Sequence, residues 1–198
     1  AYDPVRNYLY VADSANHRVL VFTAFSDGQA AAYVLGQAGF VTSSTGSGAT
    51  GMNAPYDVEI DTTNQRLFVT DYTNDRVLVF DVNTITNGEA AAYVIGQSSL
   101  DLTGGWTASQ NTFKGVYGVA YDSTRQRLFV NDSSASRVLV FDVTTITNGM
   151  NASNVIGQAN FTGWAAGSAG QNNFSLPLGL GFDNTNNRLF VSDSGRYR

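Results

Sequence analysis

Apolar positions along this chain fall in short runs separated by polar turns. Leu-aromatic-Val recurs at Leu9–Val11, Leu67–Val69, Leu128–Val130 and Leu189–Val191. After the first three of these, a polar turn leads into Val-Leu-Val-Phe, at 19–22, 77–80 and 138–141. Runs of this length, rich in Val, Leu, Phe and Tyr and bounded by Gly, Asn, Asp and Pro, predict β-strands. The second run is apolar at consecutive positions, which predicts a strand buried on both faces. A Thr/Asn/Gly turn then precedes a short apolar stretch that closes on Gly36-Gln37, Gly96-Gln97 or Gly157-Gln158. With the small-residue segment that opens each unit, such as Tyr117–Tyr121, this makes four strands per unit. No segment sustains a helical period.

The units align without gaps over Ala1–Asp13, Glu59–Asp71, Ala120–Asp132 and Gly181–Asp193, at a period of about 61 residues. Each segment ends on an Asp five residues before an Arg, giving the pairs Asp13/Arg18, Asp71/Arg76, Asp132/Arg137 and Asp193/Arg198. Four-stranded units repeated in this way predict an all-β fold, a β-propeller of antiparallel blades. The expected blades cover approximately 1–37, 56–97, 116–158 and an incomplete 177–198, about three and a half blades forming one partial domain over 1–198.

The stretch Tyr10-Val-Ala-Asp-Ser-Ala-Asn-His-Arg-Val-Leu-Val-Phe22 resembles the core of the NHL repeat, and Val155–Gln158 and Phe174–Gly179 resemble the flanks of the long bacterial form of that repeat. The resemblance implies a full ring of six blades. The ring would be completed by the remainder of the same polypeptide or by other copies.

Composition narrows the function. Hydrophobic residues make up 43% of the chain and charged ones only 14%, so the surface must draw on Asn, Thr, Ser, Gln and Gly, as in many secreted or cell-surface β proteins. The net charge is −5 and Lys114 is the single lysine, which argues against nucleic-acid binding. No apolar run is long enough for a membrane span. Cysteine is absent, which removes disulfides and thiolate metal sites.

Each blade repeats the Asp–Arg pair, so it reads as a structural clamp, and the Gly-Gln closures as backbone devices. The Asp-led turns, such as Asp61–Gln65, read as Asx turns. Departures from the repeat are the functional candidates. Asp57 and Glu59 stand on an inner strand where other blades have Gly118 and Ala120, or Gly179 and Gly181. Two like charges this close raise one pKa, and a cation such as calcium would relieve them. Tyr72 and the single histidine, His17, lie in the turns after the second strand, and Trp106 and Trp164 in the long connecting loops. Together they would form a face that binds a protein or a glycan. The Asn-x-Ser/Thr triplets at Asn131, Asn151, Asn160 and Asn173 matter only in a glycosylating source.

Two functions follow. One is a non-enzymatic binding or scaffold module without cofactor, extracellular or on a cell surface, using that face. The other is implied by architectural similarity to calcium-dependent lactonases and a peptide-amidating lyase: a metal-dependent hydrolase or lyase with Asp57 and Glu59 in the central channel.

Overall fold

The computed structural model describes residues 1–166, 168 and 170–196, with Arg196 described by its backbone only. Arg198, the expected partner of Asp193, lies outside the described residues. Three four-stranded antiparallel sheets follow one another along the chain. The first joins β1 (Tyr2–Asp3), β2 (Tyr8–Asp13), β3 (Arg18–Phe22) and β4 (Tyr33–Leu35). The second joins β5 (Pro55–Asp61), β6 (Arg66–Asp71), β7 (Arg76–Asp81) and β8 (Tyr93–Ile95). The third joins β9 (Val119–Asp122), β10 (Arg127–Asp132), β11 (Arg137–Asp142) and β12 (Asn154–Ile156). A pair, β13 (Pro177–Asp183) and β14 (Arg188–Asp193), opens a fourth. The arrangement is that of a partial β-propeller. Among the described residues helix is confined to three-residue 3₁₀ turns, which follow β2, β6, β10 and β14. No helix among the described residues is long and apolar enough to cross a membrane.

The core lies between sheets. In β7 alternate residues point opposite ways: Leu78 and Phe80 pack with Tyr10, Val19, Val21 and Met52 of the first junction, and Val77 and Val79 with Phe113, Leu128 and Phe141 of the second. Continuous apolar sequence is therefore the signature of a strand sandwiched by neighbours. Each such side chain contributes roughly 1.5–3 kcal/mol of burial free energy.

The repeated pairs meet across the hairpins, with Asp71 opposite Arg76 and Asp132 opposite Arg137 in register. Arg76 donates through Nε to Asp71 at 2.8 Å, and its Nη2 reaches the Gly48 and Gly51 carbonyls at 3.0 and 3.1 Å. Its Nη1 reaches the Leu100 carbonyl, so one buried guanidinium joins the loop entering its blade to the loop leaving it. Arg137 repeats this with Asp132, Thr112 and Phe161, and Arg18 with Asp13 and Phe40.

The Gly-Gln closures have equally specific causes. Gly96 has φ +96°, and a Cβ there would run into the Phe113 ring supplied by the next blade. Gln97 donates to the Asp75 and Gly104 carbonyls. The Asx turns form as expected: Asp61 Oδ1 accepts from the amides of Thr63 and Asn64, both at 3.1 Å.

The outer rim carries a latch between blades. Asn87, in the turn after β7, accepts the Val34 amide of β4 at 3.0 Å, and the next residue, Gly88, donates to the Val34 carbonyl at 3.0 Å. Asn148 and Gly149 grip Val94 of β8 in the same way. The free edges of β4 and β8 are thus covered by the following blade.

Candidate functional site

The inner strands begin with an irregularity that sets the site. Between Pro55 and Val58 the β5–β6 register shifts, and the Thr70 hydroxyl accepts the amides of both Tyr56 and Asp57, at 3.3 and 2.8 Å. Asn131 does the same for Tyr117 and Gly118, at 2.8 Å each. This capped bulge is why the third blade's inner ladder starts at Val119 and not at the expected Tyr117. It also explains Asn131, which is fully buried in this role and closed to glycosylation.

The bulge aims Tyr56 and Tyr117 outward, beside Tyr72 on the 3₁₀ turn after β6. The ring centroids lie 4.5 Å apart for Tyr72–Tyr117, 4.9 Å for Tyr56–Tyr117 and 5.1 Å for Tyr56–Tyr72. A hydrogen bond with Tyr72, followed by burial, pushes the Tyr117 phenol up to about 12. Tyr56 is 48% exposed.

Beside this cluster, Tyr72, Thr73, Asp75, Lys114, Gly115 and Ser134 line a depression of about 240 Å³. Asp75 sits in the left-handed region (φ 52°) and its Oδ1 accepts the Gly115 amide at 2.8 Å, which fixes one wall. Burial raises the Asp75 pKa, against the Gly115 amide and the Lys114 charge. Lys114 lies on the opposite side, its Nζ 5.0 Å from the Trp106 ring centroid. Trp106 in turn meets Trp164 edge-on at 6.2 Å, and Trp164 is 59% exposed. A track of aromatic surface therefore runs Trp164–Trp106–Lys114–Tyr72–Tyr117–Tyr56 across blades two and three.

The sequence candidates divide accordingly. Tyr72, Trp106 and Trp164 come together on this track. His17 stands one junction away: its Nδ1 accepts the Ala54 amide at 3.1 Å, the counterpart of the Asp75–Gly115 bond. Lys114 escaped the sequence reading as a site residue, although it is a departure from the repeat, standing where the neighbouring blades have Asn53 and Ser175.

Asp57 and Glu59 do lie near each other. Burial raises both pKa values, and the Asp57 charge adds to the rise at Glu59. The structure gives them a backbone task. Asp57 accepts the Val58 amide through Oδ1 at 2.9 Å and the Val119 amide of the next blade through Oδ2 at 3.0 Å. The Tyr121 amide opposes the rise at Glu59. No group of three or more His, Cys, Asp or Glu residues able to hold a metal ion occurs among the described residues. These two carboxylates do not fit a metal site by themselves.

Comparison with known proteins gives two findings. Residues 1–163 match the family model described as lactonase, 7-bladed beta-propeller, with one blade more than the six that the repeat resemblance implies. A similar solved structure is that of an auxiliary nutrient binding protein from Bacteroides thetaiotaomicron VPI-5482, with a TM-score of 0.61 at 10% identity. The match covers 100% of this chain and 45% of that one, so the chain spans less than half the length of that neighbour. No curated protein matches the chain.

Proposed function

Because the chain belongs to the lactonase family of seven-bladed β-propellers, we propose that it works as a binding module whose NHL-like blades hold a glycan on the aromatic track, outside the cell or at its surface. The observation that carries this reading is the joining of Tyr72, Trp106 and Trp164, far apart in sequence, into one surface next to a polar depression. Flat rings stack on the apolar faces of sugars, while a few polar groups fix orientation. Thr73, Ser134, Asp75 and Lys114 supply such groups at the wall of the depression. The low charge density of the surface fits an extracellular setting. The solved neighbour's description as a nutrient binding protein is in keeping with binding by this fold.

The triple substitution Tyr72→Ala, Trp106→Ala and Trp164→Ala tests the proposal. Retention of glycans in affinity electrophoresis should be abolished while the denaturation midpoint changes little. Unchanged retention would move the site elsewhere. Loss of a protein partner but of no glycan would make the surface a protein epitope. The family description favours a second reading, a hydrolase or lyase with its site in the channel. Lactone hydrolysis that disappears in Asp57→Ala would carry that reading instead.

A further inference from the structure

Lys114 is the chain's only lysine, in a protein of net charge −5, and it sits at the centre of the aromatic track. Its backbone is fixed: the amide donates to Asp132 at 2.8 Å, and Asp132 is held by Arg137. Its ammonium rests on the Trp106 ring without an ion-pair partner at contact distance. Among the described residues no carboxylate lies within salt-bridge distance of its ammonium. Asp75, the acid in the same depression, already gives one oxygen to the Gly115 amide. The ammonium is therefore a cation without a counter-ion beside the Trp106 ring, in a depression that Tyr72 and Ser134 also line. A depression of about 240 Å³ holds roughly one sugar ring.

We propose that Lys114 makes this site selective for an acidic glycan: a sugar unit seated in the depression carries a carboxylate or sulfate group onto the ammonium, while neighbouring units stack on Trp106, Trp164 and the tyrosines. The inference rests on the glycan-binding reading above and adds the charge of the ligand to it. The ion pair is exposed and Asp75 is near, so the preference is modest and sensitive to salt.

Isothermal titration with oligogalacturonate, its methyl ester and a sulfated oligosaccharide tests it. The methyl ester keeps the sugar and removes the charge. The native protein should bind the free acid about fivefold more tightly than the ester at low ionic strength, and the gap should close at high salt. Lys114→Gln should weaken binding of the free acid more than that of the ester and so erase the gap, and Lys114→Arg should keep it. Tighter binding of the sulfated probe than of the uronate would identify sulfate as the group read, and the reverse order would identify carboxylate. Equal binding of acid and ester, or a preference that survives Lys114→Gln, overturns the inference and leaves the glycan-binding reading standing. If none of the three probes binds, the inference falls, and the glycan-binding reading is decided by the affinity electrophoresis.

Discussion

The junction between blades one and two and the junction between blades two and three share a frame and differ in surface. At both, a residue in the left-handed region takes an amide from the start of the next inner strand: His17 from Ala54, Asp75 from Gly115. At both, a buried glycine packs under a large side chain of the next blade, Gly36 under Met52 and Gly96 under Phe113. On top of that frame the first junction carries Ser14 and Asn53, and the second carries Tyr72 and Lys114. The Ser14 hydroxyl turns to the Pro55 carbonyl and adds to the joint, whereas Tyr72 turns to other rings and makes surface. Repetition marks what the blades need, and a break in it on a fixed frame is where a function is to be sought.

The largest expected effect comes from breaking the frame. Arg137→Met strands the buried Asp132 carboxylate and orphans the Thr112 and Phe161 carbonyls, so it should cost about 3–5 kcal/mol in denaturant unfolding. A cost below about 1 kcal/mol, the usual worth of an exposed pair, would mean that the clamp is dispensable.

A smaller effect separates frame from surface at one position. His17→Ala removes the acceptor of the Ala54 amide and should lower stability by about 1 kcal/mol, with glycan binding unchanged. His17→Asp, which copies the second junction, should restore most of that loss. A binding defect in His17→Ala would place His17 in the site after all.

The smallest effect is a dependence on pH. Glu59 stands where the third blade has Ala120, and burial, helped by Asp57, raises its pKa in the folded state. Its contribution is therefore fully present below the ordinary glutamate range and is lost as pH rises through the raised value. Glu59→Gln keeps the shape of the side chain and abolishes the titration. Its denaturation midpoint should exceed that of the native protein at pH 7 and match it well below pH 4. Equal midpoints at both pH values would show that Glu59 titrates normally. Asp61 runs the other way: burial pushes it up, but bonds from Asn64 and Arg66 outweigh this and hold it below the usual range, so its contribution fades only in acid.

Much of this frame is legible in the sequence because its causes are local. Asp and Arg five residues apart meet across one hairpin, and the doubly buried strand announces itself by four apolar residues in a row. What joins blades is not local. Asp57 reaches an amide 62 residues further on, and which carbonyls Arg76 gathers depends on the path of two loops. The bulge at Asp57 was equally hidden, since it depends on the Thr70 hydroxyl across the strand pair. Ring size is set by the angle between successive sheets, which a repeat length does not encode. Of the site, Tyr72, Trp106 and Trp164 stood out as rare residues in odd places. In the sequence Lys114 is only a lone charge, because its neighbours on the track come from other loops.

The rim latch of Asn87 and Asn148 has a consequence for how such a molecule grows. The second and third units bear a hook, their Asn-Gly corner, where the first has Asp27-Gly28, and the first and second units offer an eye, the bare amide and carbonyl midway along their last strands. No adaptor specific to one position is needed, so a duplicated unit arrives already fitted to its neighbours on either side. The polarity of the hook also orders assembly: a unit closes onto the one synthesised before it, and a growing chain can seal each joint without waiting for the ring.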